Sequence, residues 1–159
     1  MAFRVFLSHS LDPEEMALAW RLQTLAAAHG IEMYVPNRGT SAAAARAAAI
    51  EQAIDRADCV LAIMTAAAGE NVQHELRYAL DRGKLVVPIV GADLAGSTFL
   101  AQFPRVFQFA PWDNPGAVET QIVEFLKEQH VSKSGLQAVS ALAALGLGLM
   151  VLFSMSKER

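Results

Sequence analysis

The stretch from Cys59 to Val90, CVLAIMTAAAGENVQHELRYALDRGKLVVPIV, constrains the fold more than any other. Two apolar runs, Cys59 to Met64 and Leu85 to Val90, have the length and β-branched content of buried parallel strands. Between them Val72, Leu76, Ala79 and Leu80 recur at helical spacing and predict a short helix packed on the sheet. The unit is strand, helix, strand. Glu75 sits beside the packed face. At about 100° per residue its Cβ points only about 40° away from that of Ala79, so a carboxylate is aimed at the apolar seam. A carboxylate there costs energy unless something uses it. A local arginine or a backbone N–H would satisfy it, as would a ligand.

The rest of the chain repeats the alternation. Phe3 to Ser8 reads as a first strand ending in the polar cluster Ser8-His9-Ser10. Asp12, Pro13 and Glu15 form a capping-box pattern that starts a helix to about His29, with Leu18, Leu22 and Leu25 inward and Gly30 as its stop. Ile31 to Val35 is a second strand, followed by a Pro/Gly/Asn loop whose only charge is Arg38. Ser41 caps an alanine-rich helix that turns Ile50, Ala53, Ile54 and Ala57 to the core. After Val90 come a loop with room for one helical turn, a short strand from Val106 to Phe109, and a helix from Asn114 and Pro115 to about Gln129. Its inward residues are Val118, Ile122, Phe125 and Leu126. Five strands alternating with helices imply an α/β fold of flavodoxin-like class, a parallel sheet covered on both faces. Ligands of such sheets bind beyond the carboxyl ends of the strands, which here means Ser8-His9-Ser10, the loop from Tyr34 to Thr40, and Thr65 to Glu75.

The length of 159 residues suits one domain and a little more. A net charge of -3 argues against a general nucleic-acid binder. The single cysteine, Cys59, lies in an apolar strand, so it reads as an inert core residue in a chain suited to a reducing compartment. The hydrophobic content of 53% is high, and the excess lies in residues 135–153, GLQAVSALAALGLGLMVLF, which carry no charge. Lys133 precedes this run, and Lys157, Glu158 and Arg159 follow it. A C-terminal transmembrane helix is expected, because no polar face favours the alternatives of a buried or an amphipathic helix. The expected layout is a globular domain over 1–129, a polar linker over 130–134, the membrane helix over 135–153 and a charged tail over 154–159. Flanking charges do not decide orientation, and a cytoplasmic domain with a tail anchor is the simpler topology. Ser140, Ala144 and Gly148, at four-residue steps, would let two such helices associate.

No Gly-rich dinucleotide fingerprint and no phosphate-binding Walker loop occurs, so classical NAD oxidoreductase and ATPase readings lose their main support. His9, His29, His74 and His130 lack metal-ligand spacing, and no metal is expected. Ser8 and His9 are adjacent on a strand, which sends them to opposite faces and excludes a hydrolase pair.

These residues resemble a TIR (Toll/interleukin-1 receptor) domain of bacterial type over about residues 1 to 128. The first strand FLSHS is similar to that family's first box, and the loop after the second strand sits where its BB loop sits. The segments ADCVLAIMT, ENVQHEL and GKLVVPI are similar to its third strand, catalytic helix and fourth strand. The most specific part is Val72, Glu75-Leu76 and Ala79. Arg4 replaces the acidic residue usual in the first box, and Asn71 stands where many members have tryptophan. The loop lacks the Arg-Asp-Pro-Gly pattern of animal receptor members, which counts against adaptor signalling of that type.

The resemblance implies that Glu75 is catalytic, cleaving the bond between nicotinamide and ribose with NAD+ as substrate and no cofactor. It gives Ser8, His9, Tyr34, Arg38 and Thr65 as substrate-binding candidates. Ordinary solvent-exposed roles for His9 and Arg38, and strand-end packing for Tyr34, account for those residues as well. It also implies homo-oligomers through TIR–TIR contacts, activation by self-assembly, a sensor or effector protein as partner, and antiphage defence. The expected membrane helix adds a lipid bilayer as partner, a further contact between copies, and a single-pass place in the cell inner membrane. Two rivals remain: a non-enzymatic TIR adaptor, which needs no acid at the seam, and an enzyme similar to nucleoside deoxyribosyltransferases. The latter would want acidic residues near the end of the third strand, where this chain has Thr65, three alanines and Gly69.

Overall fold

Every residue of two strands, Cys59–Met64 and Leu85–Val90, is buried, so these strands have helices on both sides. The computed structural model describes residues 2–36, 43–65, 69–109 and 116–133. In chain order the elements are β1 (Phe3–Ser8), α1 (Pro13–Ala28), β2 (Ile31–Tyr34), α2 (Ala43–Arg56), β3 (Cys59–Met64), α3 (Glu70–Asp81), β4 (Leu85–Val90), β5 (Phe107–Gln108) and α4 (Ala117–Lys133). Two 3-10 turns, Ala92–Leu94 and Thr98–Gln102, fill the connection from β4 to β5. The sheet is wholly parallel with strand order β2-β1-β3-β4-β5, the flavodoxin-like arrangement. Pro88, in the middle of β4, is tolerated because β5 pairs only with Ile89 and Val90, leaving that side of Pro88 without a strand that needs its missing N–H.

Two cores lie on opposite faces of the sheet. On one, α1 and α4 bury Leu18, Leu22, Ile122 and Leu126 against Phe3, Val5, Leu7, Leu61 and Ile63. On the other, α2 and α3 bury Ile50, Ile54, Val72, Leu76 and Leu80 against Phe6, Val60, Ala62 and Met64. Each large aliphatic side chain so removed from water contributes about 1.5–3 kcal/mol. Leu25, expected inward, is only half-buried, and Ala19 and Ala26 take the tight contacts of α1. The last helix runs beyond Gln129 to Lys133, and His130 stacks on Phe3 with ring centroids 6.0 Å apart.

The membrane part of the expected fold class, and with it the single-pass inner-membrane localisation, is corrected here. No helix among the described residues is long and apolar enough to cross a membrane. The longest, α4, has 17 residues and carries Glu119, Glu124, Lys127 and Glu128, whereas a span needs about 20 consecutive apolar ones. The run 135–153, on which that expectation rested, lies outside the described residues.

Candidate active site

Strand parity decides which polar residues meet. On β1, Phe3, Val5 and Leu7 face α1 and α4, whereas Phe6 faces α2 and α3. Ser8 is the next even position and therefore ends the strand on the α3 side. There its Oγ donates to Oε1 of Glu75 at 2.7 Å. The serine is 0% exposed and the glutamate 2%, so this charge is taken out of water and held by a buried donor. Glu75 reaches it because α3 turns the same stripe, Val72, Leu76, Ala79 and Leu80, onto the sheet. Ser8 lies opposite Ala62 of β3, and β1 and β3 are the strands between which the chain reverses its winding direction. The carboxylate thus stands at the topological switch point of the sheet, where ligands of this fold class enter.

Beside Glu75, α2 and α3 enclose a cavity of about 160 Å³. Ile50 and Ile54 make its apolar floor, Asn71 and His74 flank the glutamate, and Arg46 lines the α2 wall. Nε2 of His74 lies 4.0 Å from Oε1 of Glu51. The two helices are tied together at their other ends. The Tyr78 hydroxyl donates to the Asp55 carboxylate at 3.0 Å, Arg82 approaches the same carboxylate at 3.4 Å, and Lys84 Nζ donates to the carbonyls of Asp55 and Ala57 at 2.8 and 3.0 Å. Partial burial lowers the pKa of Lys84, and Asp55 and Asp58 oppose the shift.

The remaining sequence candidates separate. Thr65 falls on the α1 face, with its hydroxyl donating to Oε2 of Glu15 at 2.7 Å. His9 is 4% exposed, and its Nδ1 donates to the Ser10 carbonyl at 2.6 Å; it is buried rather than solvated. Tyr34 shares the face of Ser8, stacked on Phe6 at 5.7 Å, but 43% of its surface is exposed and it borders a separate cleft of about 710 Å³ with Arg4, Glu32 and Ala53. Arg38 lies outside the described residues. Only Ser8 and Glu75 are therefore brought together among the described candidates. Two residues escaped the sequence reading. Glu15 looked like a capping residue, but its carboxylate crosses to Ser10 and Thr65. Arg46 sat unremarked in an alanine-rich helix, where its 3.6-residue phase relative to Ile50 and Ile54 is the signal that places it beside the groove.

No group of three or more His, Cys, Asp or Glu side chains that could hold a metal ion occurs among the described residues. Burial, with Asp58 adding, pushes the Cys59 thiol far above its ordinary value, so it takes no part in the site.

Comparison with curated protein sequences finds no match. Among solved structures the fold is similar to a Clostridium botulinum CMP N-glycosidase, BcmB, at 14% identity and a TM-score of 0.57, over 78% of this chain and 97% of that one. It is also similar to the TIR domains of the activated Roq1 resistosome that directly recognises the pathogen effector XopQ, at 17% identity and a TM-score of 0.50, over 94% of this chain and 84% of that one. At such identities the likeness speaks for the fold. The profile of the TIR domain family matches residues 5–126, which span β1 through most of α4 and include both Ser8 and Glu75. The chain belongs to the TIR domain family.

Proposed function

We propose that this protein cleaves the N-glycosidic bond between nicotinamide and ribose in NAD+, with Glu75 as the catalytic carboxylate and Ser8 as its positioning residue. The observation that carries the reading is the buried Ser8–Glu75 hydrogen bond at the switch point of the sheet, with a cavity beside the carboxylate. In the reaction the bond from the ribose C1′ to the pyridinium nitrogen breaks and its electron pair stays on that nitrogen. Nicotinamide then departs neutral, so no acid need protonate it. Water adds to C1′ and releases a proton to solvent, or a nucleophile within the same molecule adds to C1′ in its place. The requirement on the protein is a negative charge near the cationic ribose, and such a charge acts more strongly in a site shielded from water. Ser8 holds one carboxylate oxygen in place. With its single proton committed to Glu75 and no exposed surface, it acts through the glutamate and not on the substrate.

CMP is the second substrate class, favoured by the structural likeness that covers 97% of the CMP N-glycosidase chain. Cytosine leaves CMP only with a proton supplied to it, a demand that the already cationic nicotinamide of NAD+ does not make. That difference ranks NAD+ first. Self-association belongs to the same reading, supported by the resistosome in which the similar TIR domains occur.

The test is consumption of NAD+ and of CMP by the full chain across a wide concentration range, with Glu75→Ala and Glu75→Gln alongside. Native turnover that falls by at least about 100-fold in both variants is the expected result. Specific activity that climbs with protein concentration is expected from assembly. No turnover of either nucleotide at the highest concentration would overturn the enzymatic reading in favour of an adaptor.

A further inference from the structure

We infer that Arg46 holds the phosphate of the substrate and makes the site select nucleotides over nucleosides. The inference rests on the glycosidase reading above and adds to it a substrate class and the residue that sets it. The cavity beside Glu75 measures about 160 Å³, room for about five waters. Whole-ligand pockets run to about 300–1,000 Å³. A ring fits inside, and the rest of a nucleotide must stay at the mouth.

The position of the mouth follows from the helices. The groove between α2 and α3 is closed where Asp55, Tyr78, Arg82 and Lys84 meet. Arg46 stands nine residues before Asp55, about 13 Å along α2 and hence toward the opposite end of the groove. That end carries Asn71 and Glu75 on the facing helix and coincides with the carboxyl edge of the strands. Arg46 and Glu75 therefore face the same open end from opposite walls. The other basic side chain lining the cavity, His74, has 68% of its side chain exposed and lies 4.0 Å from Oε1 of Glu51. Arg46 is the one arginine or lysine among the cavity's described lining residues, and its planar guanidinium fork matches two phosphate oxygens. A ribose at Glu75 would leave its 5′-phosphate on the Arg46 side. A cation there draws in a phosphorylated substrate and does nothing for one without phosphate.

The experiment compares NAD+ with nicotinamide riboside, which carries the same scissile bond and no phosphate, in the full chain and in Arg46→Ala and Arg46→Lys. Arg46→Ala is expected to raise KM for NAD+ by at least about tenfold at nearly unchanged kcat and to leave the riboside kinetics as they are; Arg46→Lys restores part of the loss. Equal effects on both substrates, or an unchanged KM for NAD+, would overturn the inference. Calorimetric titration with ADP-ribose separates this from the glycosidase reading, because it needs no turnover. Binding weakened by at least about tenfold in Arg46→Ala supports the phosphate contact even if neither substrate is cleaved, and equal affinity, or no binding to the native chain, refutes it.

Discussion

Glu15 and Thr65, fifty residues apart in sequence, are joined by two hydrogen bonds: Oε2 of the glutamate accepts from the threonine hydroxyl at 2.7 Å and from its backbone N–H at 3.3 Å. Oε1 accepts from the backbone N–H of Ser10 at 3.0 Å. One buried carboxylate thus fastens the loop after β1 to the end of β3, on the sheet face opposite Glu75. Replacing it with alanine strands three donors at once. Glu15→Ala is expected to cost about 3 kcal/mol and Glu15→Gln, which keeps one acceptor, about half as much, read from urea unfolding midpoints.

Ser8→Ala removes the donor to a glutamate that is 2% exposed. The hydrogen bond is charge-assisted and buried, so stability should fall by about 1.5–3 kcal/mol. If Glu75 acts as proposed, kcat falls with it while KM for NAD+ stays close to native, because the serine touches the carboxylate and not the substrate. Ser8→Thr retains the hydroxyl and should recover part of the rate. A Ser8→Ala protein with native kcat and native stability would show that the hydrogen bond does nothing.

Much of the fold was legible because the strands announce themselves. β1, β3 and β4 begin and end where their apolar runs do, and the α3 stripe, with Glu75 at its margin, reads directly from helical phase. The site was less legible. In β3 and β4 both faces are apolar, so alternation carries no signal about which face Thr65 belongs to, and its partner on α1 is invisible from the sequence around it. His9 read equally as a substrate-binding residue and as a solvent-exposed one, yet its ring is buried with Nδ1 on the neighbouring Ser10 carbonyl. The membrane expectation came from hydropathy alone, a property of composition that needs no contact with the rest of the fold.

Gly91 follows β4 so closely behind Thr65 that a Cβ there would collide with the threonine carbonyl. The clash is with backbone on both sides, where nothing flexible can give way. Gly91→Ala should destabilise by about 3 kcal/mol or more, enough to lower the thermal midpoint by at least about 6 °C. A native midpoint would mean that the end of β3 yields easily.

Cys59 is fully buried at the start of β3, and its thiol is held protonated by desolvation and then by Asp58. It should resist iodoacetamide at pH 8 in the native state and react after unfolding. The raised value also fixes a sign. Its contribution to stability is whole below the ordinary thiol value of 9.0 and declines as pH rises above it, since only the unfolded chain gains by ionising. Cys59→Ala should flatten the alkaline limb of the stability profile, and an unchanged limb would assign it to other groups.

Ser8 and Glu75 are separated by 67 positions, and their contact forms only after β1 has paired with β3 and α3 has closed over them. Closing a contact of such long sequence separation costs more chain entropy than closing a local one. A chain emerging during synthesis exposes its first box well before the helix that completes the pair. The carboxylate environment is thus a property of the finished sheet: partly made, misfolded or clipped chains lack it, and a cell making this protein meets the assembled site only in molecules that have finished folding.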